Sequence, residues 1–313
     1  MTTEMGIPMY DSTLKMFAVF FSAVLLSLGA YATSPDPEPD PEPCSDCSYE
    51  RGPDPTTAML EADRGPYSVR TINVSRFVSG FGGGTIHYPT GTSGTMGVIA
   101  VVPGYVSYES SIQWWGPRLA SHGFVVITIN TSSIYDQPNS RATQLVAALD
   151  YVISQSNSSS SAISGMVDPD RRAVIGWSMG GGGALKATAD DRSIMASIPQ
   201  APYYSGSNNF DRITTPTLII ACESDSIARV SSHASPLYNT IPSSTDKAFL
   251  QIRRGNHYCA NSGNDNEDIL GKYGVSWMKR FVDLDRRYDQ FLCDVNHTAP
   301  FAINEYRSTC PYR

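Results

Sequence analysis

Continuous apolar runs recur through the middle of the chain. Residues 98–102 (VIAVV) and 124–129 (FVVITI) carry almost no polar alternation, the pattern of strands buried on both faces. Shorter runs of the same kind predict strands at 172–176, 193–198, 217–221 and 248–252. Between them the apolar spacing becomes helical. Helices are predicted at 113–122, closed by Gly123, at 140–155 with Ser140 as N-cap, at 180–189 and at 267–282. Strands alternating with helices give an α/β class: a mostly parallel central sheet covered by helices on both faces. Fewer than twenty residues separate the strand ending near Pro199 from the one starting at Thr217, too few for a cap domain.

The apolar run at 16–30 is of another sort. Lys15 precedes it, and Ala30-Tyr31-Ala32 places small residues at the two positions of a cleavage site. A membrane span needs about 20 residues, so residues 1–32 read as a secretory signal peptide rather than an anchor. Residues 34–43 (SPDPEPDPEP) alternate proline with acid, which makes a stiff, self-repelling spacer. The expected organisation is therefore a signal peptide (1–32), a Pro/acidic linker with Cys44 and Cys47 (33–55), and one α/β domain (56–313).

Charge narrows the partners. The formal net charge is −7, and residues 1–54 supply all of it, with nine acids against two bases. The remaining 259 residues carry 21 acids and 21 bases, so no basic stripe exists to draw nucleic acid. A neutral body suits an uncharged substrate. Six cysteines in an exported chain imply disulfides in an oxidising, extracellular or periplasmic location. Cys44-x-x-Cys47 supplies two thiolates without the other ligands of a zinc site, so no metal and no cofactor is expected. A monomer is the default.

Gly176-Trp177-Ser178-Met179-Gly180 follows a predicted strand and opens a predicted helix. That context makes G-x-S-x-G a nucleophile elbow, in which serine sits on a strained strand-to-helix turn and the glycines admit the neighbouring backbone; the fold carrying it is the α/β-hydrolase fold. The serine needs a base, held by an acid, and in this fold the chain order is serine, acid, histidine. Of the histidines after Ser178, His233 and His297 read as surface residues. His257 follows the last predicted strand, where open α/β sheets place their sites. Glu223 and Asp225 both lie in the loop after the strand at 217–221. Cys222 precedes these acids and Cys259 follows His257, so a bridge between them would fasten the acid loop to the base loop; Cys293 and Cys310 would then pin the C-terminal tail. The oxyanion donors are expected from the backbone N–H of Met179, at a helix N-terminus, and of Tyr105, after the strand at 98–102.

At these residues the sequence becomes specific. The segments PGYVSYESSIQWWGPRLASHGFVV, GWSMGGGGAL, PQAPY, PTLIIACESDSIARV and NHYCANSGN…GKYGVSWMKRF closely resemble the bacterial cutinase and poly(ethylene terephthalate) hydrolase family. The resemblance runs from about residue 56 to the C-terminus. It implies a Ser178–His257–Asp225 triad, choosing Asp225 over Glu223, with Tyr105 and Met179 as oxyanion donors. It also implies a substrate cleft built from Tyr105, Trp177, Tyr203 and Ile227. The cysteines and the segment CANSGNDNEDIL resemble the family's two-disulfide branch, with bridges 222–259 and 293–310. Tyr203 stands where tryptophan is common in the family. Tyr258, next to the histidine, is bulky and is expected to narrow the cleft. The resemblance implies a secreted serine esterase acting on polymeric or bulky apolar esters. A lipase or short-chain carboxylesterase is the alternative, and a non-catalytic binding protein the remote one.

Overall fold

The computed structural model describes residues 49–207, 209–293 and 301–313. The signal-like segment, the Pro/acidic run, Cys44, Cys47 and His297 lie outside them.

Among the described residues nine strands form one sheet, in the order β1-β2-β4-β3-β5-β6-β7-β8-β9. These are β1 (Ser68–Val74), β2 (Gly84–Thr90), β3 (Met96–Val102), β4 (Val125–Ile129), β5 (Val167–Trp177), β6 (Ile194–Gln200), β7 (Thr217–Cys222), β8 (Lys247–Ile252) and β9 (Ile303–Ser308). The run from β4 through β3 to β8 is parallel, while β1 and β2 at one edge and β9 at the other pair antiparallel. Strands β3, β4, β7 and β8 are buried along their whole length, which is why their sequences are apolar apart from Thr128, Thr217, Lys247 and Gln251. The fold is that of an α/β-hydrolase.

Alternate residues of the strands feed opposite layers, as the period of two requires. Ile99, Val101, Val126 and Ile175 pack against Trp115 and Leu119 of α2 (Trp115–Ala120) and Tyr273 and Trp277 of α6 (Glu267–Phe281). Val98, Ala100, Val125 and Ile127 pack against Leu145 and Leu149 of α3 (Pro138–Ser156) and Ala184 of α4 (Met179–Asp190). Two short helices complete the set, α1 (Thr57–Glu61) and α5 (Ala234–Thr240). Helix α3 begins earlier than the sequence suggests. Its N-cap is Gln137, with Pro138 in the first turn, where a missing N–H costs nothing. Ser140 instead meets the Gln144 amide at 3.1 Å.

Residues 49–54, grouped with the linker by composition, make specific contacts. The Tyr49 ring lies 3.8 Å from the Arg171 guanidinium carbon, and its N–H donates to the Asp283 carbonyl at 2.8 Å. Arg51 donates to the carbonyls of Ser93 and Thr95 at 3.0 and 2.7 Å. The described residues of 201–216 hold no helix or strand.

Candidate active site

Strand β5 ends at Trp177 and helix α4 begins at Met179. Ser178 between them has φ 57° and ψ −120°, a region that costs about 1–3 kcal/mol and persists only where its surroundings hold it. Those surroundings are visible. The Ser178 N–H donates to the Gln200 carbonyl at 2.8 Å, and the Ser178 carbonyl accepts from Gly182 at 3.0 Å and Tyr203 at 2.9 Å. A Cβ on Gly176 would lie 2.0 Å from the Gly180 carbonyl oxygen, so only glycine allows strand and helix to pass this closely.

His257 follows β8 and Asp225 follows β7. The turn brings His257 Nε2 to 2.8 Å from Ser178 Oγ and His257 Nδ1 to 2.7 Å from Asp225 Oδ2. All three side chains are buried. With its hydrogen on Nδ1, His257 donates to the carboxylate, and Nε2 accepts the serine hydroxyl. The second Asp225 oxygen accepts the N–H groups of Ile227 and Ala228 at 2.8 and 2.7 Å. Burial pushes the Asp225 carboxyl up, but the bond and charge of His257 and the two N–H donors outweigh it. The net shift is below the ordinary carboxylate value. Glu223 is exposed, and its carboxylate accepts the Arg254 N–H at 2.6 Å, turned away to another task. Cys222 and Cys259 are bridged with Cα atoms 6.0 Å apart, and Cys293 and Cys310 with 5.7 Å. The first bridge joins the loop of Asp225 to the loop of His257.

The loop after β3 approaches the serine from the other side. A Cβ on Gly104 would stand 2.9 Å from Ser178 Cβ, so the backbone at Gly104 runs directly beside Ser178. No hydrogen bond among the described residues uses the N–H of Tyr105 or Met179, while their neighbour Val106 donates to the Ile134 carbonyl at 2.8 Å. A residue that sequence reasoning missed fixes this loop. Arg141 of α3, wholly buried, donates to the carbonyls of Pro103 (2.9 Å), Ile134 (3.0 Å) and Asp136 (2.8 Å). One guanidinium thus holds Pro103 directly and Val106 through Ile134, bracketing Gly104-Tyr105. The signal existed: Arg141 shares a helix face with Leu145, Ala148 and Val152, all buried.

The expected cleft residues divide into two groups. Tyr105, Ile227 and Tyr258 are roughly half-exposed. Trp177 is enclosed instead: its Nε1–H donates to the His257 carbonyl at 2.9 Å, and its ring packs 5.3 Å from His257 and 5.5 Å from Tyr258. It packs against the His257 loop from within. Tyr203 is half-buried, with the His233 ring 4.5 Å away. His233, read from sequence as a surface residue, is half-buried at the N-cap of α5 because it stacks on this tyrosine. Burial, the largest influence, lowers its titration.

The PET hydrolase-like family matches residues 44–311 of this chain. Among characterised relatives, a bis(hydroxyethyl) terephthalate hydrolase of Streptomyces coelicolor is 48% identical, covering 86% of this chain and 84% of its own. Cutinase 1 of Thermobifida cellulosilytica is 50% identical over 84% of this chain and 98% of its own. A cutinase of Thermobifida fusca is 48% identical over 93% and 90%.

Proposed function

The chain belongs to the PET hydrolase-like family and is a carboxylic ester hydrolase of the cutinase type, and from that premise we propose that it cleaves cutin-like and aromatic polyesters through an acyl-enzyme on Ser178. The observation that carries the proposal is the unbroken line from Ser178 Oγ through His257 to Asp225, at 2.8 and 2.7 Å. His257 takes the serine proton as Oγ attacks the ester carbonyl. The N–H groups of Tyr105 and Met179 receive the oxyanion. His257 then hands its proton to the departing alcohol, and water repeats the sequence on the acyl-enzyme. Asp225 holds the imidazole in the tautomer this requires. Tyr105, Tyr203, Ile227 and Tyr258 line the cleft for a bulky apolar acyl group, and Trp177 backs it. Export of the chain, with residues 1–32 removed, agrees with the two bridges among the described residues.

A second reading keeps the chemistry and shortens the substrate. Tyr258 leans over the site, 5.7 Å from the His257 ring, and a narrowed cleft favours short-chain esters.

Purified protein and its Ser178→Ala variant on amorphous poly(ethylene terephthalate) film, with p-nitrophenyl butyrate as soluble substrate, test both. Released aromatic monoesters and diacid are followed by chromatography. Film products from the parent protein, and a variant slower by about 10⁶, support the polyesterase. Cleavage of the soluble ester alone leaves the short-chain esterase. Residual variant activity of about a tenth would remove Ser178 from the chemistry.

A further inference from the structure

The apolar surface does not stop at the cleft. Large hydrophobic side chains exposed by 40% or more include Tyr105, Val106, Tyr108, Tyr135 and Phe77. Tyr105, beside Ser178, meets the Tyr135 ring at 5.8 Å. Ile134, next along the chain, is tied to Val106 through its carbonyl and also lines a separate groove of about 450 Å³. Phe77 and Tyr108, 81% and 62% exposed, stand in the same groove. A continuous track therefore leads from the nucleophile, over Tyr105 and the 134–135 turn, to a second depression walled by aromatic rings.

The chemistry of that depression is selective. Its volume falls within the range of about 300–1,000 Å³ usual for small-molecule sites. Its charged lining group is Arg76, whose guanidinium carbon sits 4.8 Å from the Phe77 ring centroid. Among the described residues no carboxylate lines it. Glu109, on the adjoining loop, points its carboxylate inward, where the Thr128 hydroxyl donates to it at 2.6 Å. Aromatic faces with a donor and no acidic group suit a ligand that alternates rings with hydrogen-bond acceptors. An aromatic polyester chain has that composition. Exposed apolar rings of this extent on a single-chain protein mark a binding surface.

We propose that the Phe77–Tyr108 groove is a distal subsite holding a further aromatic ester unit of the same polymer chain whose scissile bond lies at Ser178. The inference rests on the polyester reading above and adds a second point of attachment to it. The track of exposed residues between cleft and groove makes one chain the occupant.

The test compares two soluble substrates: bis(2-hydroxyethyl) terephthalate, with one ring, and a linear ethylene terephthalate trimer, with three. The protein carries Phe77→Ser with Tyr108→Ser, both highly exposed, or Arg76→Gln alone. The quantity read is kcat/KM for the trimer divided by kcat/KM for the one-ring ester. The double variant is expected to lower this ratio about fivefold through KM, the scale of one or two aromatic contacts, and Arg76→Gln to lower it less. A ratio within about twofold of the parent value in the double variant overturns the subsite and leaves the catalytic reading standing. Failure of the parent protein to cleave either terephthalate ester, while p-nitrophenyl butyrate is cleaved, overturns the polyester reading and the subsite with it.

Discussion

Replacing Arg141 with methionine tests how the site is held. The substitution removes the one buried group that bonds Pro103, Ile134 and Asp136 together, while a side chain of similar length still fills the space. Arg141 forms no ion pair among the described residues, so the three carbonyls carry its stabilisation. Burial lowers its titration to about 10, Asp136 opposing, so it stays cationic at the pH of any assay near neutrality. Hydrogen bonds to a charged group contribute about 1.5–3 kcal/mol each. Part of that is recovered because water or neighbours can serve Ile134 and Asp136, and a loss of about 2–4 kcal/mol of stability is expected. The kinetic effect is separable. Removing one oxyanion donor outright costs about 10²–10³ in kcat. Loosening the loop that carries Tyr105 is expected to cost about 10–100-fold, with KM changed less than about threefold, because Arg141 does not reach the cleft. The assay is steady-state hydrolysis of p-nitrophenyl butyrate well below the variant's melting temperature, with the affinity for a boronic acid transition-state analogue measured alongside. That affinity is expected to fall with kcat/KM. Arg141→Lys keeps the charge without the three-way fork and is expected to fall between. A folded Arg141→Met protein with kcat within about twofold of the parent would refute the positioning role.

Three further outcomes follow from the same structure. The Cys222–Cys259 bridge closes a sequence separation of 37 residues and Cys293–Cys310 one of 17, so on the chain-entropy account their replacement by serine pairs costs about 4 and 3 kcal/mol in urea unfolding; only the first is expected to lower kcat in the folded protein, and equal kinetic effects would contradict its tie to the triad. His87 and His122 are buried, and burial lowers them from 6.5 to about 4 and about 3. Below pH 6.5 the unfolded chain takes up protons that the folded chain refuses, so their stability is full above that pH and drains as pH falls toward those values, by up to about 1.4 kcal/mol per unit for each. Denaturant midpoints at pH 7 and 5 measure it, and His87→Gln is expected to flatten the slope; an unchanged slope would place the histidine's titration elsewhere. Tyr258→Ser, which opens the cleft mouth beside His257, is expected to raise film products relative to p-nitrophenyl butyrate turnover by about two- to fivefold, and a fall would mean that the ring grips substrate instead of obstructing it.

The parts legible in the sequence are those where burial leaves no choice. Strands β3, β4, β7 and β8 are enclosed on both faces, so their residues are mostly apolar and their positions plain. The elbow is legible because close approach at Gly176 admits nothing larger. The antiparallel edges were not legible. The exposure of β1 alternates irregularly, and β9 is mostly half-exposed, so neither carries a clean two-residue period; pairing to β2 and β8 makes them strands. The start of α3 was misplaced because Ser140 is a good capping residue by type, whereas Pro138 decided the first turn. His233 and Arg141 share one difficulty. Each acts through a neighbour distant in sequence, Tyr203 in one case and the carbonyls of Pro103 and Ile134 in the other.

The short connection from β6 to β7 has a kinetic consequence. Enzymes that guard a hydrophobic cleft with a lid must open it before turnover, and that step can dominate the observed rate. Here residues 201–216 pass from strand to strand with no helix among those described, and Tyr105 and Tyr258 already stand half in solvent. Raising a sparingly soluble ester through its solubility limit is therefore expected to give a smooth saturation curve, and an abrupt acceleration at that limit would contradict an open site.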